Sequence, residues 1–356
     1  MGVGTNIVND NIINKIWQFI WAGTSPCGTL GRRDWSDMGR SLKESLRIIK
    51  ARADAIRQRR EAPELVDDLV AAGALTRGVT EPHPDSGEAD AKEAAEPEQD
   101  VTSLLENYKE GTAGPIETVE PGVEYLAGEE PFYMIRREGE LIDPEAIREG
   151  RAFAGLQAWP EQARAKAHGS QAAGQTTAVP FDRESVCFLD IETTGLSPTT
   201  YLFLIGLMFW EKGRFVAELV FARNYAEEQA VLRYVRDALS RFGVVVTYNG
   251  DSFDLPFIET RLAATRVGPL DPIASADLLY AARRAYRGVL PNCRLGTVER
   301  HIRGIERTGD IPSRYIPQAY HDYVRSGDAR AMKNVLYHNR MDLFTMAVLL
   351  NRLASS

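Results

Sequence analysis

The chain has 356 residues, of which 44% are hydrophobic and 26% charged, and its formal net charge is −8. This composition is typical of a soluble globular protein with room for about two domains. Three cysteines without CxxC spacing indicate neither a disulfide framework nor a zinc site, so we expect a reducing, cytoplasmic environment. No apolar run reaches the roughly 18 to 20 residues of a membrane-spanning helix.

The first segment, residues 1–76, is predicted to be an N-terminal extension that contains one amphipathic helix over 41–60. Leu42, Leu46 and Ile49 begin a stripe of apolar residues with helical spacing, flanked by lysines and arginines. The stripe is too short to indicate a coiled coil. We interpret it as a surface or docking helix that offers a contact to a protein partner.

Residues 77–114 are rich in Glu, Asp, Ala, Gly and Pro and contain few large apolar side chains. Such a segment cannot offset the entropy cost of ordering its backbone, so we predict an acidic, disordered linker. Residues 115–179 contain two short β-like runs, at 123–126 and 132–135, followed by a polar, alanine-rich stretch. We expect a small appendage and linker there, and therefore a largely flexible N-terminal half.

Residues 180–356 carry the clearest patterns and are predicted to form one α/β domain. The elements that we predict are, in order, strands 186–190, 201–210 and 214–221, a helix capped at Asn224, strand 244–247, a helix over 255–264 and a last helix from about 329 to 353. Three sequential strands indicate an antiparallel meander, and the short all-apolar strand is typical of a buried parallel pair. The prediction is a mixed β-sheet flanked by helices.

The first of these strands ends in Asp190-Ile191-Glu192. Because side chains on a strand alternate faces, Asp190 and Glu192 leave one face while their apolar neighbours enter the core. Two adjacent carboxylates repel each other unless a cation compensates them, and oxygen-only ligands favour Mg²⁺ or Mn²⁺ over softer metals. We therefore expect a divalent-metal site at this strand.

Two further acidic signals follow. Residues 249–254, with the sequence NGDSFD, lie after a buried strand, where α/β proteins place their sites, although Asp254 alone is more often a helix cap. On the last helix, His338 and Asp342 are four residues apart and share a face, which suits an imidazole beside a metal-bound water. The second and third motifs are each weak evidence for a catalytic site when taken alone. The three acidic motifs in this order are much stronger evidence.

The DxE, NGxxFD and HxxxD motifs, together with segments 293–300 and 309–317, resemble the DEDD 3′-to-5′ exonucleases of the ribonuclease-H-like superfamily, most closely the YprB-type ribonuclease-H-like domain. The resemblance covers about residues 180–353. It implies a ribonuclease-H-like fold that hydrolyses phosphodiester bonds at the 3′ end of single-stranded DNA or RNA.

The resemblance also implies a set of catalytic residues. The metal ligands it implies are Asp190, Glu192, Asp254 and Asp342, which would hold two divalent cations, Mg²⁺ or Mn²⁺, for a two-metal-ion mechanism. The third motif departs from the best-known subgroups, which have a histidine five residues or a tyrosine four residues before the last aspartate. His338 is our choice for the residue that serves the attacking water, and Tyr337 is the alternative.

The residues that we assign to substrate binding are Thr193, Thr194, Gly195, Asn249 and Phe253. The first three lie where a terminal nucleotide would approach, and the glycine allows close passage of the backbone. Asn249 and Phe253 would position sugar and base, although turn chemistry and core packing explain them equally well. We give no catalytic role to Asp277, Asp310 or His301.

Positive charge is concentrated in residues 261–340, which carry a net charge of +7. Seven arginines cluster there: Arg283, Arg284, Arg287, Arg294, Arg300, Arg303 and Arg307. Such a patch suits a phosphate backbone, and arginines on solvated helix faces are the equally weighted alternative. The leading hypothesis is a metal-dependent nuclease, and the alternatives are a nucleic-acid-binding module or an adaptor with little or no turnover.

Overall fold

The computed structural model describes residues 104–163, 166–167 and 181–355. The predicted extension over 1–76, its helix at 41–60 and residues 77–103 of the predicted linker lie outside these residues. Among the described residues, no helix combines the length and the apolar character needed to cross a membrane.

One β-sheet organises the described residues. Its strands are β1 (Val123–Ala127), β2 (Glu130–Glu138), β3 (Lys166–Ala167), β4 (Val186–Thr193), β5 (Leu202–Glu211), β6 (Arg214–Phe221), β7 (Val244–Thr247) and β8 (Ala274–Asp277). Their order across the sheet is β1-β2-β6-β5-β4-β7-β8-β3. β4 pairs antiparallel with β5 and parallel with β7, and β7 pairs parallel with β8. The predicted mixed sheet is confirmed.

Helices precede, follow and connect the strands. They are α1 (Ile116–Val119), α2 (Ala146–Gly155), α3 (Glu228–Leu239), α4 (Asp254–Ala264), α5 (Leu278–Tyr286), α6 (Leu295–Arg303), α7 (Ile316–Ser326) and α8 (Arg330–Ser355). Short 3-10 turns occur at Glu106–Tyr108, Gly139–Leu141, Glu161–Ala163, Arg183–Ser185, Tyr225–Glu227 and Ser313–Tyr315. Every strand and helix predicted after residue 180 is present, with shifts at the ends.

The core lies on both faces of the central strands. The first eight residues of β5 are all buried, because α8 packs on one side of the sheet and α3 packs against β5 and β2. A strand covered on both faces needs apolar side chains at every position, and β5 accordingly reads as an unbroken apolar run. β4 lies beside it and carries the DxE motif into the centre of the sheet.

The segment before residue 180 differs from our expectation. β1 and β2 form an antiparallel hairpin, and β2 pairs with β6, with Met134 opposite Val220. The hairpin therefore extends the main sheet and is not a separate appendage. The end of the predicted linker also packs on the domain: Leu105 is fully buried, and the amide of Ala329 donates to the carbonyl of Gly114 at 2.9 Å. The prediction of disorder is wrong for residues 104–114.

Candidate active site

Strand β4 presents the first two acids as its alternation predicts. Leu189 and Ile191 are buried, and Asp190 and Glu192 on the opposite face are partly accessible. The pairing with β5 shifts between Glu192 and Thr193, which marks a bulge immediately after the motif. Bulges often occur next to active sites, where they redirect the chain.

Asp254 is brought to β4 by the turn that follows β7. It is the first residue of α4 and is buried, and it does not cap the helix, whose N-cap is Phe253. Backbone hydrogen bonds from Ile191 and from Asp254 itself favour its ionised form. Ile191 separates the two acids of the DxE motif, so the third carboxylate lies directly against the first two.

The last helix, α8, supplies the fourth carboxylate, Asp342, and two further polar side chains, Asn339 and His338. Asn339 is fully buried, and its Nδ2 donates to Oδ2 of Asp190 at 2.7 Å. Oδ2 of Asp342 lies 3.6 Å from Nε2 of His338. Gly206 on β5 is paired with Asp190, and a Cβ atom there would collide with Oδ1 of Asn339. The missing side chain lets the asparagine reach the neighbouring strand.

We name Asp190, Glu192, Asp254 and Asp342 the acidic cluster. The pKa of Asp190 is raised well above its usual range, first by burial and then by the charges of Asp342, Glu192 and Asp254. Burial also raises the pKa of Glu192 to about 8 and that of Asp254 to about 7. Two physical causes therefore act together on these carboxylates: burial is the larger, and repulsion between neighbouring negative charges adds to it.

A divalent cation would relieve this repulsion, and the donor set fits one. All donors are carboxylate oxygens, which Mg²⁺ and Mn²⁺ prefer. As the side chains stand, however, no three His, Cys, Asp or Glu residues within 104–163, 166–167 and 181–355 are arranged to hold one ion. One oxygen of Asp342 and one of Asp190 are instead occupied by protein donors. The chemistry of the cluster fits a metal, and the side chains would have to adjust to ligate it.

His338 lies at the edge of the acidic cluster and has a partner on each ring nitrogen. Nδ1 lies 2.7 Å from Oδ1 of Asp310, and Nε2 is 3.4 Å from the hydroxyl of Ser313. Burial alone would lower the pKa of this imidazole, but Asp342, Asp310 and Glu192 outweigh it and raise the pKa to about 9. The imidazole is therefore oriented by Asp310, a residue to which the sequence analysis gave no catalytic role.

The alternative residue, Tyr337, contacts Arg340 on the same helix. Its ring is half-buried and stacks against the guanidinium of Arg340, whose Cζ lies 5.7 Å from the ring centroid. Burial raises the pKa of this phenol, which makes it a poor proton acceptor at neutral pH. The geometry favours His338.

The residues assigned to substrate binding form two turns beside the cluster. Thr193 Oγ1 donates to the carbonyl of Gly195 at 2.8 Å, and the Thr194 amide donates to Tyr201 at 2.8 Å, so this turn is held by its own hydrogen bonds. Asn249 has a left-handed backbone with φ of 68°, and the carbonyl of Asn249 accepts from the amide of Phe253 at 3.1 Å. The turn role considered for Asn249 is present, and substrate contacts stay predictions for all five residues.

Asp277 supports the second turn from the end of β8. Its Oδ1 accepts from the amide of Leu279 at 3.0 Å, a bond that caps α5, and also from the amide of Asn249 at 2.8 Å. Its Oδ2 accepts from the amide of Asp251 at 3.3 Å. This carboxylate therefore ties β8 to the loop that delivers Asp254.

Six of the seven arginines fall into two groups, and the seventh, Arg283, is partly exposed. Arg284, Arg287, Arg294 and Arg300 are exposed. The side chains of Arg303 and Arg307 are only 3% and 7% exposed, and both are engaged in internal ion pairs. Two of the seven arginines are therefore not part of a surface patch. His301 is exposed, as expected, and packs edge-on against Tyr286.

Three residues that contact the predicted site were missed by sequence reasoning: Asn339, Arg307 and Asp310. Two features of the sequence pointed to Asn339. Asn339 is an amide on the apolar side of a helix, and Gly206 interrupts a run of large apolar residues on β5. For Asp310 the signal was its place in segment 309–317, which belongs to the family resemblance. Nothing local distinguishes Arg307 from the arginines around it.

Comparison with known proteins agrees with this architecture. A family model described as RNase H superfamily matches residues 187–354. The uncharacterized protein YprB of Bacillus subtilis (strain 168) is 31% identical over 176 residues, which are 48% of this chain and 42% of that protein. The chain therefore spans less than half the length of this relative.

Among solved structures, a family B DNA polymerase from the hyperthermophilic archaeon Pyrobaculum calidifontis aligns at 16% identity and a TM-score of 0.39. That alignment covers 59% of this chain and 33% of that chain. We base no argument on this likeness.

The family match begins within β4 and ends within α8, so it contains the whole acidic cluster, His338 and strands β5 to β8, whereas β1, β2 and β3 lie before it. The resemblance to a YprB-type ribonuclease-H-like domain is thereby confirmed for residues 187–354, the part of the chain that the RNase H superfamily model matches.

Proposed function

We propose that this domain is a metal-dependent nuclease of the DEDD type, which removes nucleotides from the 3′ end of single-stranded DNA or RNA. The observation that carries the proposal is the acidic cluster. Three separate elements, β4, α4 and α8, bring four carboxylates together and raise the pKa of three of them, an arrangement that costs folding free energy. Such a cost is typical of a functional site.

The acidic cluster would hold the divalent cations. When bound, such ions activate a water for attack at phosphorus and stabilise the departing oxygen. Asn339 keeps one oxygen of Asp190 occupied and thereby orients the other. Two cations, Mg²⁺ or Mn²⁺, are the number that four carboxylates suggest.

His338 would accept the proton of the attacking water through Nε2, the nitrogen that faces Asp342. Nδ1 is held by Asp310, so the ring has one orientation. With a pKa of about 9 in the metal-free site, the imidazole is protonated at neutral pH. Neutralisation of the neighbouring carboxylates removes the main cause of that shift, and the neutral form needed for a proton acceptor becomes favoured.

The substrate would enter along the turns that flank the cluster. We assign Thr193, Thr194 and Gly195 to the terminal nucleotide, and Asn249 and Phe253 to its sugar and base. The first turn continues from β4, which carries Asp190 and Glu192, and the second turn leads into Asp254, so a nucleotide held between them would lie beside the acids. The exposed arginines Arg284, Arg287, Arg294 and Arg300 would contact the phosphate backbone further along the strand.

The proposal is tested with purified protein on single strands of DNA and of RNA, labelled at either the 5′ or the 3′ end, with Mn²⁺ or Mg²⁺. We expect a ladder of shortened products from the 5′-labelled strands and release of a labelled mononucleotide from the 3′-labelled ones. Asp190→Asn should abolish both because it removes a ligand charge while keeping the shape. Products that persist in EDTA or in Asp190→Asn would refute the proposal.

A second candidate is a nucleic-acid-binding module with little turnover. The observation that favours it is the ion pair between Arg307 and Asp342, which occupies one oxygen of a proposed ligand. Binding of the same strands without cleavage, in the presence of Mn²⁺, would support this reading.

A further inference from the structure

Arg307 approaches the acidic cluster from the loop between α6 and α7. Its three guanidinium nitrogens all donate to acids: Nε to Glu299 Oε2 at 2.6 Å, Nη1 to Asp310 Oδ2 at 3.4 Å and Nη2 to Asp342 Oδ1 at 2.6 Å. Burial alone would lower the pKa of this guanidinium, but the charges of the three acids outweigh it and raise the pKa. A cation this enclosed is stable only while its partners remain in place.

The side of Arg307 away from the cluster is anchored in the protein interior. Glu299 is 2% exposed, and its Oε1 accepts from Thr345 Oγ1 at 2.7 Å and from Arg303 Nη1 at 3.0 Å. Arg303 also donates to Asp143 at 2.9 Å. This network fixes the position of Glu299, and Glu299 in turn fixes the plane of the Arg307 guanidinium.

On the side of the acidic cluster, Arg307 contacts Asp342 and Asp310. Each of these carboxylates faces Arg307 with one oxygen and His338 with the other. Asp342 Oδ1 accepts from Arg307, while Oδ2 lies 3.6 Å from Nε2 of His338. Asp310 Oδ2 faces Arg307, while Oδ1 lies 2.7 Å from Nδ1 of His338. One planar guanidinium therefore sets the position of both carboxylates relative to the imidazole. A lysine ammonium, which is a single point charge, would not reproduce this fork.

We propose that Arg307 is a positioning residue of the nuclease site, which holds Asp342 so that Oδ2 remains available to a cation and keeps Asp310 against His338. This inference rests on the proposed function, because that function assigns the roles of ligand and proton acceptor. Carboxylates that bind metals are commonly held by a second hydrogen-bonding partner, and loss of that partner typically costs about 10- to 100-fold in metal affinity.

The positive charge of Arg307 and its hydrogen bonds have opposite effects on the affinity of the site for a divalent cation. A guanidinium beside the acidic cluster repels a divalent cation, so removal of the charge alone would strengthen metal binding. Loss of the hydrogen bond that positions Asp342 would instead weaken metal binding. A metal titration therefore distinguishes the two effects by sign.

The test compares Arg307→Met and Arg307→Lys with the matched control Arg303→Met in the full chain. Arg303 also carries a buried side chain and pairs with Glu299, but its other ion-pair partners are Asp143 and Glu145, which lie outside the acidic cluster. Three quantities are measured for each variant: Mn²⁺ affinity by calorimetry on metal-free protein, melting temperature in EDTA, and kcat and KM on a 5′-labelled single strand.

We expect Arg307→Met to weaken Mn²⁺ binding by about 10- to 100-fold and to lower kcat more than it raises KM. Arg307→Lys should recover the melting temperature but not the Mn²⁺ affinity, because it restores the charge without the fork. Arg303→Met should melt at a lower temperature but lose much less Mn²⁺ affinity than Arg307→Met, because Thr345 still donates to Glu299 and Arg307 keeps its own hydrogen bonds. If Arg307→Met does not fold, Arg307→Lys alone must still show the loss of affinity.

Unchanged or tighter Mn²⁺ binding in both Arg307 variants would overturn the positioning role, and so would an equal loss in Arg303→Met. Parent protein that binds Mn²⁺ but cleaves no strand would refute the proposed function and leave the metal comparison standing. Parent protein that cleaves, with Arg307 variants that match it in affinity and kcat, would refute the inference alone. Parent protein without Mn²⁺ binding would refute both.

Discussion

Replacement of Gly206 by alanine should disturb the acidic cluster from the neighbouring strand. The added methyl group would collide with Oδ1 of Asn339 and would lie 2.8 Å from Cδ1 of Leu343, both fully buried on α8. Overpacking of a closed core costs about 1 to 3 kcal/mol. Displacement of Asn339 would also break its hydrogen bond to Asp190, and a bond to a charged group contributes about 1.5 to 3 kcal/mol.

The two contributions together predict a loss of about 2.5 to 6 kcal/mol in the free energy of unfolding for Gly206→Ala. Asn339→Ala removes the hydrogen bond but also opens the space that the methyl group needs. The double variant should therefore be more stable than the sum of the two losses predicts, by about 1 kcal/mol or more. Urea denaturation, monitored by circular dichroism, measures the free energy of unfolding of the parent, the two single variants and the double variant.

Mn²⁺ affinity provides the second readout of the same cycle. Both single variants should bind Mn²⁺ more weakly than the parent, because each leaves Asp190 without its orienting partner. Strictly additive losses of stability, or a Gly206→Ala protein as stable as the parent, would refute the packing of Asn339 over Gly206 as the cause.

Two further predictions concern proton transfer and pH. His338→Gln should lower kcat by about 10²- to 10⁴-fold in the strand-shortening assay, whereas Tyr337→Phe should leave kcat unchanged, and the reverse result would reassign the proton acceptor. In EDTA, the melting temperature should fall as pH rises from 5 to 9. The folded-state pKa values of Glu192 (about 8), Asp254 (about 7) and His338 (about 9) all lie above their unfolded values, so the stability present at low pH is lost as each group releases its proton. Mn²⁺ should reverse this fall, and a melting temperature that rises with pH in EDTA would contradict the raised values.

The strands and helices after residue 180 were predictable because their signals are local. β5 is an unbroken apolar run, and β4 alternates apolar and acidic side chains at its end. α8 was recognised from its length and apolar content. The same reasoning failed before residue 180, since the partner that stabilises strand β2 is β6, about eighty residues later in the chain. Residues 104–114 are held in the same way, by contacts with the beginning of α8.

Composition alone does not predict which arginines are exposed and which are buried. Arg303 and Arg307 lie within seven residues of the exposed Arg300, yet they are buried against acids from distant segments, such as Asp143 and Asp342. A charge count treats these side chains alike. Only the positions of their partners reveal that one of them reaches the acidic cluster.

The sequence by itself determined which residue types and which order of motifs this domain carries, and through them its family and the four carboxylates of the cluster. The strands and helices follow from the spacing of apolar and polar residues along single elements, and the family and the set of four carboxylates follow from the resemblance that the motifs carry. The tertiary structure decided which donors hold the carboxylates: Asn339 over Gly206 for Asp190, and Arg307 for Asp342. These contacts join residues that lie far apart in the chain, and their energies depend on burial and mutual geometry, which no local pattern records.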